Sequence, residues 1–198
     1  MRDSDGTQGR IIVKILLIRH GKTAGNLEKR YIGRTDEPLC PEGIAALQHC
    51  AYPRCSVLVS SPMQRCLQTS AILFPEQKIH IQDAFRECDF GDFEGKNYAA
   101  LNGDPLYQAW IDSGGTMPFP NGESPDDFRL RCCNGFRQTV SEYADADSIA
   151  LVVHGGTIMA ILSQFSLPNR DYFGWMTDNA HGWLCSFDGT NLTNPEKL

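Results

Sequence analysis

The chain has 198 residues, of which 41% are hydrophobic and 21% charged, and a formal net charge of −6. That length carries one domain with a full core, and the balance is that of a folded chain, not a disordered one. The acidic total argues against nonspecific nucleic-acid binding, which needs a basic face, and no stretch approaches the roughly 20 apolar residues of a membrane span.

Residues 1–10 are polar and aperiodic and read as a loose tail, and Met1-Arg2-Asp3-Ser4-Asp5 has no signal-peptide core. The domain is expected over residues 11–198. Ile11 to Ile18 is a β-branched apolar run, nearly unbroken, as in a central strand buried on both faces. It breaks into Arg19-His20-Gly21, which puts a cation and an imidazole at the carboxyl rim of the sheet, where α/β folds place ligand crevices. Arg19 supplies donors shaped for a carboxylate or phosphate, His20 can act as nucleophile, base or donor, and Gly21 lets the backbone approach a ligand closely. Lys22 to Pro41 lacks a sustained period and is expected as a long loop, with Thr23, Asn26, Arg30 and Arg34 as donors for an anion. Thr23 and Asn26 are equally suited to capping the loop.

Pro41 opens a helix through about Cys50, with Ile44, Leu47 and Ala51 on one face. Ser56 to Ser60 is a second buried strand, and Ser61-Pro62 starts a helix that carries Arg65 in its first turn, on the same rim as Arg19 and His20. Lys78 to Ile81 alternates as a short edge strand. Arg86 to Gly95 is dense in carboxylates and glycine and reads as an ordered loop. Asn97 to Asp112 is interrupted helix with Tyr98, Leu101, Leu106 and Trp110 as its pattern, and Ser113 to Ser124 is a loop. A longer helix runs from Pro125 to Tyr143 on a Phe128, Cys132, Phe136, Val140 stripe, weakened at Asn134-Gly135. Ser148 to Val153 is a third buried strand, and it ends in His154-Gly155-Gly156 at a helix start, where backbone N–H groups and the helix dipole favour an anion. Trp183 to Phe187 followed by Asp188-Gly189 reads as a hairpin. Strands alternating with helices give an α/β fold, a three-layer α/β/α sandwich around a mainly parallel sheet.

Eight cysteines are present without a Cys-x-x-Cys or zinc-finger spacing, so buried free thiols in a reducing cytoplasm are expected, with no metal. Three strand ends thus carry Arg19-His20, Arg65 and His154, with a carboxylate-rich loop between the last two. Two arginines and two histidines converging on one rim repel each other unless an anion is shared, and phosphate is the natural counter-charge. Neither Gly-x-x-x-x-Gly-Lys-Ser/Thr nor Gly-x-Gly-x-x-Gly occurs, so phosphoryl chemistry here rests on side chains.

These blocks resemble the histidine phosphatase, or phosphoglycerate mutase-like, family from Lys14 onward. Arg19-His20-Gly21 with Thr23 and Asn26 is similar to its signature, Ser60-Ser61-Pro62 with Arg65 and Thr69 to its second block, and Glu87 with Gly91 and Gly95 to the loop that supplies a proton donor. Gly122-Glu123-Ser124 and Val153-His154-Gly155-Gly156 complete the order. The resemblance implies a metal-independent, cofactor-free phosphomonoesterase. His20 would form a phosphohistidine, Arg19, Arg65 and His154 would hold the phosphoryl oxygens, and Glu87 would protonate the leaving group, with Asp89, Asp92 and Glu94 as rival acids. Gly21, Thr23, Asn26 and Gly155 would line the phosphate, and Arg34 either reaches the rest of the substrate or is solvated. His181 is open between pocket lining and a surface position. The neighbouring guanidinium groups lower the pKa of Glu87 and a bound phosphate raises it, so its resting protonation stays open.

The compact length and Tyr31-Ile32-Gly33-Arg34-Thr35-Asp36 are most similar to the α-ribazole phosphatase branch of cobalamin biosynthesis, although Lys22 departs from its usual Glu or Gln. A small phosphate ester is the expected partner, α-ribazole 5′-phosphate first, and a homodimer is compatible with this reading. The alternatives are a broad-specificity sugar or organic phosphatase, a phosphoglycerate mutase, and a catalytically silent phosphate-binding protein. Mutases carry an inserted arginine pair, and no arginine lies between Gly95 and Glu123.

Overall fold

The computed structural model describes residues 12–198, so the expected tail and Ile11 lie outside the described residues. The strands are β1 (Val13–Arg19), β2 (Val57–Ser60), β3 (Ile79–Ile81), β4 (Ser148–Val153), β5 (Ser166–Leu167), β6 (Gly182–Phe187) and β7 (Leu192–Lys197). They form one sheet in the order β3-β2-β4-β1-β6-β7-β5. The pairs β1–β4, β4–β2, β2–β3 and β5–β7 are parallel, and β6 is antiparallel to both β1 and β7. The apolar run of β1 therefore sits mid-sheet, where Ile15 to Ile18 are at most 1% exposed.

Side chains alternate across a strand, so each central strand feeds two cores. Ile15 and Leu17 join Ile149, Leu151 and Val153 against α6 (Pro125–Glu142) and α7 (Gly155–Phe165), through Phe136, Ile158 and Ile161. Leu16 and Ile18 join Leu58, Ala150 and Val152 against α3 (Gln64–Leu73), through Cys66. This is the three-layer α/β/α sandwich, with α2 (Pro41–Leu47) beside α3 through Leu47, Ile72 and Leu73. All eight cysteines are free thiols and all but Cys50 are buried. Among the described residues no helix is long and apolar enough to cross a membrane.

Several local expectations are corrected. The stretch from Lys22 to Pro41 is not all loop: it holds one helical turn, α1 (Ala24–Leu27), closed by a reciprocal capping box in which Thr23 Oγ1 accepts from Asn26 N and Asn26 Oδ1 accepts from Thr23 N. Helix α2 stops at Leu47, and Ile44 and Ala51 are exposed, because Gly43 is the residue packed against the backbone of Lys22 and turns a different face inward. The interrupted helix resolves into α4 (Tyr98–Leu101) and α5 (Pro105–Asp112). Leu101 and Tyr107 point inward there, while Tyr98 and Leu106 are exposed. Strand β5 was not expected at all; two residues carry no readable period.

Helix α6 begins where chemistry permits: Ser124 Oγ accepts from Asp127 N, Pro125 takes the first position, and Asp126 and Asp127 face the positive end of the dipole. The helix runs unbroken through Gly135, whose missing side chain is what lets it approach the turn Asp83–Phe85. A Cβ at Gly135 would lie 2.7 Å from Ala84 Cβ and 3.2 Å from Phe85 Cε1. Helix propensity favours Ala over Gly by about 1 kcal/mol, whereas overpacking costs about 1–3 kcal/mol. Gly135→Ala is accordingly expected to lower the urea midpoint with an unchanged slope; a rise in the midpoint would show that the helix–turn contact yields freely.

Candidate active site

Register alone brings the two histidines together. Arg19 pairs with Val153 in the parallel β1–β4 ladder, so the next residues, His20 and His154, leave the sheet side by side. His20 N donates to Val153 O, and the two rings meet edge-on with centroids 5.2 Å apart. On the other side β2 ends one step earlier, with Ser60 opposite Val152, and Ser61 Oγ lies 2.8 Å from His154 Nε2. Arg65, in the first turn of α3, closes the group by donating from Nε to His154 Nδ1 at 3.4 Å. His20, Arg65 and His154 are at most 4% exposed.

Hydrogen bonding fixes the protons. His20 Nδ1 is 2.7 Å from Gly21 O, and a carbonyl only accepts, so Nδ1 carries the hydrogen and Nε2 keeps its lone pair. In His154 the guanidinium donor occupies Nδ1, so Nε2–H donates to Ser61. Burial, then the Arg65 charge, hold both imidazoles well below 6.5; the Gly21 carbonyl opposes this for His20, and Arg19 adds to it for both. Both rings are therefore neutral at physiological pH.

The arginines are positioned mainly by backbone. Arg65 donates to Thr35 O at 2.8 Å and Gly33 O at 2.9 Å, tying the first loop to the sheet rim. Arg19 donates to Thr177 O at 2.8 Å, and its buried Nε has no hydrogen-bond partner. Burial lowers the Arg19 pKa, while Glu87 and Asp178 oppose that. Gly155, the first residue of α7, lies against the Arg19 guanidinium, and α7 has no side-chain cap. This free helix start adds positive potential beside the imidazoles.

Glu87 closes the pocket next to Gly156 and accepts from Cys88 N at 3.0 Å. Burial raises its pKa above the ordinary 4.5, outweighing the Cys88 hydrogen bond and the nearby Arg65 and Arg19. The structure adds desolvation to the balance of arginines and phosphate, and its direction is upward. The other acids of the loop each hold backbone or side-chain donors, although Glu94 Oε2 is buried without a partner. Glu94 Oε1 accepts from Gly33 N and Thr35 N, Asp92 accepts from Asn121 Nδ2, and Asp89 accepts from Gly91 N and faces Arg34 at 3.5 Å.

The remaining expected residues lie around this centre in different roles. Gly21 N donates to Thr69 Oγ1, and Thr23 and Asn26 cap α1. Arg34 is largely exposed at the rim, and His181 is exposed and bonded to Leu198 O. Three contributors were missed. Asn179 Nδ2 donates to His20 O and Asn26 Oδ1, joining the signature to the chain before β6. Ser61 was quoted in a motif without a task. Arg131 forms a bidentate pair with Glu123 at 2.9 and 2.7 Å and donates to Ala84 O and Arg86 O, which clamps the loop that presents Glu87. Glu123 stood in the last-but-one block, and a cation on the following helix was the available signal. Among the described residues no three His, Cys, Asp or Glu side chains group as a metal site.

Comparison with known proteins agrees with this geometry. The chain is 31% identical over 163 residues to a 2,3-bisphosphoglycerate-dependent phosphoglycerate mutase of Gloeobacter violaceus, covering 76% of this chain and 74% of that one. It is 30% identical over 173 residues to a broad-specificity phosphatase of Saccharomyces cerevisiae, covering 80% and 73%. The crystal structure of the α-ribazole phosphatase from Shigella flexneri superposes with a TM-score of 0.80 at 23% identity, over 94% of this chain and 96% of that one. The family model of the histidine phosphatase superfamily (branch 1) matches residues 15–193, and the chain belongs to that family.

Proposed function

We propose that in this phosphohistidine-type phosphomonoesterase His20 is the nucleophile and Glu87 the proton donor, acting on a small phosphorylated metabolite. The observation that carries the assignment is geometric: the Gly21 carbonyl holds the His20 Nδ1 proton and leaves Nε2 free among Arg19, Arg65 and His154, while burial shifts the pKa of the Glu87 carboxyl upward. His20 Nε2 attacks phosphorus, the phosphorus–ester oxygen bond breaks, and Glu87 gives its proton to the departing alkoxide. Water then attacks the phosphohistidine while the Glu87 carboxylate takes its proton, which returns both groups to their starting states. Arg19, Arg65, His154 and the α7 N-terminus offset the charge on the transferring group. The contacts that tie Asp89 to Gly91 and Arg34, Asp92 to Asn121 and Glu94 Oε1 to Gly33 and Thr35 support Glu87 over its neighbours. Thr23 and Asn26 cap with their oxygens, which supports their hydroxyl and amide hydrogens as further phosphate donors. Gly21 and Gly155 belong to the lining, and Arg34 is placed at the rim for the rest of the substrate.

For the substrate we put α-ribazole 5′-phosphate first, on the likeness in fold to the Shigella enzyme. Broad specificity is the alternative that the yeast relative supports. A mutase reading draws on the Gloeobacter relative, against which stands the lack of any arginine between Gly95 and Glu123. The net charge of −6 argues against nucleic acid as a partner, while the local arginine pair can still draw in a small anion, and the free, mostly buried thiols support a cytoplasmic setting. Phosphate release from ribazole phosphate, sugar phosphates and phosphoglycerates, with and without a bisphosphate, tests these readings together; bisphosphate-dependent isomerisation without net release would install the mutase.

His20→Ala is expected to cut kcat/KM by roughly 10⁴-fold or more, as loss of a covalent nucleophile does. Incubation with labelled substrate and an alkaline quench should leave acid-labile phosphate on the wild type and none on the variant. Full turnover by His20→Ala would end the covalent route. Glu87→Gln should lower kcat/KM by about 10²–10⁴-fold on alkyl esters and far less on 4-nitrophenyl phosphate, whose leaving group needs no proton. Because the acid form is required, wild-type kcat/KM for alkyl esters should fall as pH rises through the Glu87 pKa, above 4.5. That alkaline limb should be missing in Glu87→Gln. Equal losses on both ester types would assign the proton elsewhere.

A further inference from the structure

A second concavity is bordered by Glu87 and by neither histidine. It encloses about 220 Å³, and its lining includes Phe90, Trp110, Phe119, Phe128 and Tyr172, with Glu87 and Gly156 at the end nearest the phosphate pocket. The aromatic wall is preassembled: Phe119 packs edge-on against Phe90 at 5.1 Å and tilted by 33° against Trp110 at 5.2 Å, and Tyr31 extends it at 5.3 Å from Phe90.

Most polar side chains around this space are turned to other partners, whereas the Trp110 indole Nε1 is buried with no hydrogen-bond partner. Tyr31 Oη bonds to Tyr107 Oη, and Tyr172 Oη donates to Gly156 O. The Arg129 guanidinium lies over the Tyr172 ring at 4.5 Å and 3.6 Å from Asp126. What faces the cavity is therefore ring surface, with the Glu87 carboxyl at one end. An apolar cavity of about 150 Å³ takes benzene, so this one has room for a benzene- to indole-sized group. A polyhydroxylated group placed here would lose water along the ring wall and find few partners beyond the Glu87 carboxyl and the Trp110 indole N–H, at a cost that disfavours it. The charged groove on the other side of Glu87, lined by Arg34, Arg86 and Asp89, offers no comparable ring surface.

We propose that this aromatic cavity is the leaving-group site and selects phosphate monoesters whose alcohol carries a planar apolar ring. The inference rests on Glu87 as the proton donor, since the alcohol must lie where Glu87 can protonate it. Ring burial in such a site is worth roughly 10- to 100-fold in kcat/KM.

The test compares 2-phenylethyl phosphate with propyl phosphate, two primary alkyl esters that differ in the ring. Wild-type kcat/KM should favour the ring ester by roughly 10- to 100-fold. Phe119→Ser, which removes part of the wall, and Met159→Trp, at a lining position on α7 from which the larger ring fills the space, should each bring that ratio close to one. Melting curves exclude unfolding, and two variants from different sides guard against failure of either. Saturation-transfer NMR of 2-phenylethanol alone reads the cavity without turnover and should show binding to the wild type that both variants weaken. A ratio near one in the wild type, or equal losses on both esters, would overturn the cavity assignment while leaving the hydrolase. Binding of 2-phenylethanol without hydrolysis of any ester would overturn the hydrolytic reading, and with it the leaving-group role.

Discussion

A guanidinium that is 1% exposed, at the start of α3, is the constraint from which the rest of the pocket follows. Arg65 donates to His154 and to the carbonyls of Gly33 and Thr35, so a buried cation is satisfied largely by backbone. Such a charge is tolerated only where its donors are met, which obliges the loop after α1 to fold back onto the sheet rim. The close approach needs a glycine: a Cβ at Gly33 would lie 1.8 Å from Cys88 O, the residue after Glu87. One arginine thus sets the distance between the signature loop and the loop that carries the acid.

The same charge separates the protonation states. Burial penalises any ion, so it lowers both imidazoles and raises the carboxyl; Arg65 reinforces the first effect and opposes the second. The resulting rest state holds a neutral His20 with Nε2 free and a Glu87 inclined to keep its proton. Cationic donors stay in place for an arriving phosphate, and preorganised charge of this kind needs no rearrangement at the moment of reaction.

Acidic residues elsewhere serve as scaffold, which reconciles a net charge of −6 with a cationic pocket. Glu94 accepts from Gly33 and Thr35, Glu37 from Gly25, Asp36 from Gln64, and Glu123 from Arg131. Carboxylates suit this task because they accept several backbone N–H bonds without needing a donor in return. The loops around the site are held by side chains rather than by ladders, and that is where local reading was least successful.

Buried strands and the helices flanking them were legible because their period is local. Ile11 to Ile18 announces a central strand, Phe128 to Phe136 a packed helix face, and a polar residue after each buried run (Arg19, Ser61, His154) marks the rim. Ile44, Tyr98 and Leu106 misled because four- to eight-residue helices have too few turns to define a face, and tertiary contacts at Gly43 and Tyr107 chose instead. Sequence by itself determined the α/β layering and the residues that meet at the rim, since strand ends in a parallel sheet share one edge. Only the tertiary structure decided the direction of the Glu87 shift, the Arg131 clamp and the aromatic cavity. Desolvation and long-range packing depend on what surrounds a group in space, and residues as distant as Tyr31, Phe119 and Tyr172 carry no mark of becoming neighbours.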